Sequence, residues 1–254
     1  MRVYCAQIAQ VWNDPDAAFS QAYDAVLRAV EDDADLVMFS EQFATGWRSS
    51  MGSVQTGFSG TEVKERWCSF ARECGVAVAG SYAREVPGGL PQNVMLVAGP
   101  QGEVLAEYAK VHLFTPGGED RRYSPGDAPV CFSFGGVKFG CAVCFDLRFP
   151  ELFRSYLHAG CACVLVQAAW PAARVADWEL LLRARALENR GFVAGCGCLG
   201  FDAADGVDYS GRSLVCDYEG RIVADAGVFE GGCCAEVDVE GVLEWRERWG
   251  MITV

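Results

Sequence analysis

Three short segments carry residue types that could do chemistry together. In Phe39-Ser40-Glu41-Gln42-Phe43 an apolar strand ends directly in a glutamate. In Tyr108-Ala109-Lys110-Val111-His112-Leu113-Phe114 a lysine ends a second apolar run, with aromatic residues on either side. In Gly140-Cys141-Ala142-Val143-Cys144-Phe145-Asp146-Leu147-Arg148-Phe149-Pro150 a strand runs into Cys144, a tight turn follows, and Pro150 is placed to open a helix. Such an elbow exposes a nucleophile, and its backbone N–H groups face a developing oxyanion. Each segment alone has a plainer reading: a turn-capping carboxylate, a solvated edge lysine, a buried structural cysteine. Together they suit attack on an amide, a poor electrophile that needs a strong nucleophile and a stabilised oxyanion. A thiolate meets the first need. A nearby ammonium lowers the thiol pKa and can donate to the oxyanion. A carboxylate can take the thiol proton, pass it to departing ammonia and then activate water. No histidine base is required, in keeping with a chain whose only histidines are His112 and His158.

These residues need strand ends to hold them. Strand-like runs are expected at Val3–Ile8, Leu36–Phe39, Val76–Ser81, Val94–Ala98 and Val104–Tyr108. Further runs are Val137–Val143, Cys163–Gln167, Phe192–Cys196, Ser213–Cys216 and Cys234–Val239. Four helices are expected: one capped by Asp14 with Pro15 at its first position, one capped by Thr61, one opened by Pro150, and one from about Arg174 to Arg190. Strands alternate with helices in the first half and again after Cys144, which predicts an α/β fold. Between Val76 and Val143 no helix intervenes, so either part of one sheet is antiparallel or two sheets lie back to back. No linker or repeat divides the 254 residues, and one domain over 1–254 is expected.

A formal net charge of -13 offers no basic face for phosphates, and no nucleic-acid partner is expected. The amino-terminal residues lack the basic start and long apolar run of a signal peptide, and no apolar stretch reaches membrane-span length. A cytoplasmic protein without a membrane partner is therefore expected. The thirteen cysteines are odd in number and, in that setting, argue against a disulfide framework. The Cys141–Cys144 spacing invites a redox or zinc reading, but Cys141 ends a strand-like run where a redox pair wants a helix start. With so few histidines, no metal is expected.

The ordered motifs resemble the nitrilase, or carbon–nitrogen hydrolase, superfamily nearly end to end. They are SEQFATGW around Glu41, Gly80-Ser81, Asn93, Gly102, Tyr108–Phe114, CFDLRFPELFR from Cys144, AAWPAAR at Ala168–Arg174 and ARALEN at Ala184–Asn189. The resemblance implies a four-layer αββα sandwich, no cofactor, and a homodimer or larger homo-oligomer, with the Glu244–Val254 segment as a possible contributor to its interface. It implies Glu41 as general base, Lys110 as oxyanion-stabilising lysine, Cys144 as nucleophile and the backbone N–H of Phe145 as a second oxyanion donor. Glu119 occupies the place of the family's second glutamate, which positions the lysine and assists the base or the substrate amide. The DLRFPELFR and WPAAR segments are most similar to the omega-amidases, which hydrolyse the terminal amide of 2-oxoglutaramate or 2-oxosuccinamate. Alternatives are deaminated glutathione, an N-carbamoyl compound, or a silent binding subunit. A substrate carboxylate needs a cation, for which Arg174 is preferred over Arg48 and Arg212; Trp170 and Trp47 are further substrate-binding candidates. The chain departs from the family in Ser40 before Glu41, in Gly197-Cys198 after the ARALEN segment, and in Trp47 where phenylalanine is common. The last two put the substrate in question, not the reaction class.

Overall fold

A computed structural model describes residues 1–47 and 59–251. The first half contains β1 (Arg2–Gln7), α1 (Pro15–Glu31), β2 (Leu36–Met38), α2 (Gly60–Cys74), β3 (Ala77–Arg84), β4 (Gln92–Ala98) and β5 (Val104–Ala109). Next come β6 (Cys131–Phe134), β7 (Val137–Val143), α3 (Pro150–His158), β8 (Cys163–Gln167), α4 (Val175–Asn189) and β9 (Phe192–Cys196). The chain closes with β10 (Leu199–Asp202), β11 (Val207–Ser210), β12 (Leu214–Cys216), β13 (Ile222–Asp225), β14 (Gly231–Glu236) and α5 (Val239–Arg248).

The open choice between one sheet and two resolves as two six-stranded mixed sheets. Their orders are β14-β1-β2-β3-β4-β5 and β13-β12-β9-β8-β7-β6, and β10-β11 forms a separate hairpin. Period-two alternation splits each strand between two cores. On β1 and β2, Val3, Cys5, Leu36 and Met38 face the second sheet, whereas Tyr4, Ala6 and Val37 share a core with α1 and α2. Helices α3 and α4 cover the other sheet through Phe153, Tyr156, Trp178 and Leu182. The layers are therefore helix, sheet, sheet, helix: the αββα sandwich. Two glycines let the helices close down. A Cβ on Gly80 would stand 2.2 Å from the Trp67 ring of α2, and one on Gly140 would stand 2.5 Å from the Tyr156 ring of α3.

Asp14 caps α1 by accepting from the Ala17 N–H at 3.0 Å. The cap of α2 is Ser59, not Thr61: Ser59 and Glu62 form a reciprocal capping box, which satisfies two first-turn donors where Thr61 would leave them. The expected strand Cys234–Val239 ends at Glu236, because Asp238 caps α5 by accepting from Gly241. Strands β6, β10, β11 and β13 were not expected. Each is short and pairs as one arm of a hairpin, so pairing rather than a long apolar run defines it. Among the described residues, no helix is long and apolar enough to cross a membrane.

Candidate active site

Glu41, Lys110 and Cys144 come from both sheets and meet between them. Glu41 follows β2 and Lys110 follows β5 in the first sheet; Cys144 follows β7 in the second. Two of the turns that carry them hold non-glycine residues in the left-handed region: Gln42 at φ 52° and Cys144 at φ 48°. Each costs on the order of 1–2 kcal/mol, and such strain persists only where the surroundings over-determine it.

Asp146 over-determines the elbow. It is fully buried. Its Oδ2 accepts from the Val143 N–H at 2.9 Å and the Tyr108 hydroxyl at 2.8 Å. Its Oδ1 accepts from the His112 N–H at 2.8 Å and lies 2.9 Å from His112 Nδ1. One carboxylate thus ties the Cys144 turn to both flanks of Lys110. From the other side, Arg185 of α4 donates to the Leu147 carbonyl at 3.0 Å.

The charged cluster is closed to solvent: Glu41 and Glu119 are fully buried and Lys110 nearly so. Lys110 Nζ donates to Glu41 Oε1 at 2.9 Å and to Glu119 Oε2 at 2.8 Å. Asn93 of β4 bridges the same two carboxylates, donating to Glu41 Oε1 at 2.7 Å and Glu119 Oε1 at 3.0 Å. Its own carbonyl oxygen accepts from Gln42 at 2.8 Å. Glu119 Oε2 also accepts from the Phe114 N–H at 2.6 Å, and Glu41 Oε2 from the Ala169 N–H at 3.1 Å. Burial pulls the Lys110 ammonium down, but the flanking carboxylates outweigh it and hold the group well above its usual range. Burial alone would raise Glu119; the Lys110 ammonium and the N–H donors hold it below the usual carboxylate range instead.

The thiol behaves differently from the sequence expectation. Lys110 does lower the Cys144 pKa, but burial and the Glu41 carboxylate act the other way and prevail, so the thiol sits well above its usual value. The balance favours the protonated sulfur, and Glu41, buried beside Lys110, is the carboxylate that can take its proton. Phe145 follows at the start of a short 3-10 turn over Cys144–Arg148, where backbone N–H groups lack partners within the turn.

Above Cys144 lies a pocket of about 300 Å³, lined by Trp47, Phe114, Pro116, Phe145, Arg148, Ala169, Trp170, Pro171 and Arg174. Arg174, Trp170 and Trp47 therefore reach one cavity. The Arg174 guanidinium lies 5.4 Å from the Phe114 ring centre, and Trp170 donates to the Arg174 carbonyl at 2.7 Å. Arg148, not singled out from the sequence, lies over Trp170 and is held by Asp177 at 2.5 Å. Arg212 is removed as a candidate: Glu179 at 2.6 Å and Asp225 at 3.1 Å occupy it, outside the pocket lining. Arg48 lies outside the described residues. Of the two departures thought to reshape the pocket, Trp47 lines it, whereas Cys198 is buried behind it with Ala169 and Tyr209. Cys141 is fully buried, and no group of His, Cys, Asp or Glu suited to a metal ion occurs among the described residues. The bridging roles of Asn93 and Asp146 went unread in the sequence. The available signal was a polar residue just before the apolar run Val94–Ala98, and an acid two residues past a strand-end cysteine.

A sandwich of two mixed sheets with a cysteine elbow, a buried lysine and two carboxylates between them defines a class. A carbon-nitrogen hydrolase family model matches residues 2–247, and the chain belongs to that family. It is 34% identical over 215 residues to a 2-oxoglutaramate amidase of Bacillus subtilis (strain 168), covering 84% of this chain and 82% of that protein. It is 35% identical over 243 residues to the omega-amidase YafV of Yersinia enterocolitica, covering 94% and 90% of the two chains. Among solved structures, an amidase from Nesterenkonia sp. AN1, with acrylamide added at its active-site cysteine, aligns over 100% of both chains at a TM-score of 0.85 and 28% identity. The chain is a cysteine-dependent amidase of the carbon–nitrogen hydrolase type.

Proposed function

We propose that this chain hydrolyses the terminal amide of a small 2-oxo acid amide, 2-oxoglutaramate or 2-oxosuccinamate, to the 2-oxo acid and ammonia. The observation that carries the reading is one pocket with Cys144 at its floor and Arg174 on its wall. The buried Glu41–Lys110–Glu119 cluster lies behind that floor. Among the described residues Arg174 has no carboxylate partner, and its fork suits a substrate carboxylate. Trp47, Trp170 and Phe114 enclose the short carbon chain between carboxylate and amide.

Glu41 accepts the Cys144 proton as sulfur attacks the amide carbonyl. The charge that develops on oxygen meets the Lys110 ammonium and the Phe145 N–H, donors already oriented before the reaction. The tetrahedral adduct collapses, Glu41 returns the proton to the leaving nitrogen, and ammonia departs from a thioester. Glu41 then takes a proton from water, which attacks the thioester and releases the acid. Glu119 keeps Lys110 in place through its paired oxygens, so the ammonium cannot swing wholly onto Glu41.

The reading also carries a single catalytic unit over residues 1–254, a cytoplasmic setting and a homodimer. The exposed Trp249 of the carboxyl-terminal segment, stacked on the half-buried Trp245, supports the last, and light scattering in solution tests it. For the substrate, ammonia release is measured on 2-oxoglutaramate, 2-oxosuccinamate, succinamate, glutamine, deaminated glutathione, an N-carbamoyl amino acid and a simple nitrile. Fast release from the two 2-oxo acid amides, absent in Cys144→Ala, is the expected result. Turnover confined to the other compounds would discard the substrate assignment and keep the amidase.

A further inference from the structure

Most cysteines in the described chain are buried as small apolar residues, but Cys131 and Cys161 stand in contact. The Cys161 thiol donates to Cys131 Sγ at 3.2 Å. Cys131 opens β6, the edge strand of the second sheet, and is partly exposed; Cys161 is buried in the turn between α3 and β8. The turn that carries Cys161 is clamped on two sides. Lys138 Nζ donates to the Ala159 carbonyl at 2.6 Å, and the Lys138 carbonyl accepts from the Ala162 N–H at 2.8 Å. The Cys161 N–H donates to Tyr156 at 2.9 Å, and its carbonyl accepts from Arg246 at 2.7 Å. Cys131 sits in register with Gly140 of β7. Bonding the sulfurs needs a movement of about 1 Å, since a disulfide spans about 2.05 Å.

The pair is also polarised. The S–H donated by Cys161 pushes the Cys131 thiol down to about 7, against burial and with help from the Lys138 ammonium. Cys161, as the donor, is held up. Cys5 and Cys233 provide the contrast. They face each other across β1 and β14, but both are buried in the core between the sheets, and Cys5 is pushed well up by the same kind of contact.

We propose that Cys131 and Cys161 form a dithiol site, separate from Cys144, that hydroperoxides oxidise to an intramolecular disulfide. The Cys131 thiolate attacks the terminal peroxide oxygen. An S–O bond forms, the O–O bond breaks, and the leaving hydroxide takes a proton as water. Cys161 sulfur then attacks the sulfenic sulfur of Cys131. The S–S bond forms as the S–O bond breaks, and the departing hydroxide leaves as water with the Cys161 proton. Two thiols lose two electrons and one hydrogen peroxide becomes two waters. Neither thiol lines the pocket above Cys144.

The test treats the full chain, and the full chain carrying Cys144→Ala, with a small excess of hydrogen peroxide. Remaining thiols are then blocked with iodoacetamide and the peptides mapped by mass. The expected product in both is a linked Cys131–Cys161 peptide pair that dithiothreitol separates. Cys131 should react roughly tenfold faster than Cys68, Cys74 and Cys234, the other partly exposed thiols outside the pocket, which burial holds up. Cys161→Ser should stop at a dimedone-trapped sulfenic acid on Cys131, and Cys131→Ser should leave Cys161 open to alkylation once unfolded. Both thiols alkylated after Cys68 and Cys234 have been oxidised would overturn the site, as would Cys131 passing to sulfinic acid beside a free Cys161.

Discussion

The floor and the wall of the pocket are built on opposite plans. Behind the Cys144 floor, Glu41, Lys110 and Glu119 are closed to solvent, and their polar atoms are shared among one another, Asn93 and backbone N–H groups. At the wall, Trp47, Phe114, Trp170 and Arg174 lie in connecting segments and meet the cavity mainly through rings and one exposed guanidinium. A dense buried network admits one arrangement, because each unsatisfied member costs its desolvation. A wall of rings on loops can change its residues at little cost to the fold. The reaction belongs to the floor and the choice of substrate to the wall, and substitutions on the two should separate in kcat and KM.

The sharpest break comes at the sulfur. Cys144→Ala should lower kcat by at least about 10⁴-fold while leaving the circular dichroism and melting curve near those of the parent; residual turnover within tenfold would remove Cys144 as nucleophile. Lys110→Met should cost about 10³-fold in kcat. It should also cost about 3–5 kcal/mol in urea unfolding, because two buried carboxylates lose their shared cation. The same change should move the alkylation profile of Cys144 to higher pH, since Lys110 is the group that lowers that thiol. Asn93→Ala probes the floor through a residue that donates to both of its carboxylates and accepts from Gln42: a kcat loss of roughly 10–100-fold with KM little changed follows from two acceptors losing a donor. A shift in KM alone would place Asn93 with the wall.

Arg174→Ala should do the reverse. KM for a 2-oxo acid amide should rise roughly 10–100-fold, with kcat/KM for an uncharged short amide unchanged. Equal losses on both would show that Arg174 supports the wall and does not read a carboxylate. The smallest effect is on stability with pH. Burial holds Cys141, Cys163 and Cys198 above the ordinary thiol value in the folded chain. Their folded pKa values are raised, so between the unfolded value of about 8.5 and the folded one the native state binds more protons. Stability must therefore fall as pH rises through that window. The urea midpoint should decline steadily above about pH 8.5, and a flat midpoint to pH 10 would contradict the burial of these thiols.

Much of the frame was open to a linear reading. The strand ends at Glu41, Lys110 and Cys144, the Asp14–Pro15 start of α1 and the Pro150 start of α3 all follow from local periodicity and capping, which act over a few residues. Strand β6 escaped notice although Gly135-Gly136 between two aromatic runs is a hairpin signal, and both glycines take positive φ in the β6–β7 turn. Other features had no local signal. Arg174 and Arg212 are equally basic in the chain, and only the fold gives Arg212 to Glu179 and Asp225 while leaving Arg174 on the cavity. The Cys144 proton likewise depends on burial and on a carboxylate 103 residues away competing with a lysine 34 residues away. Asn93 joins Glu41 to Glu119 across two strands and a loop. Local propensity sets where a strand ends and which residue stands there. Desolvation and long-range Coulomb and hydrogen-bond terms set what that residue can do, and they exist only once the two sheets have closed on each other.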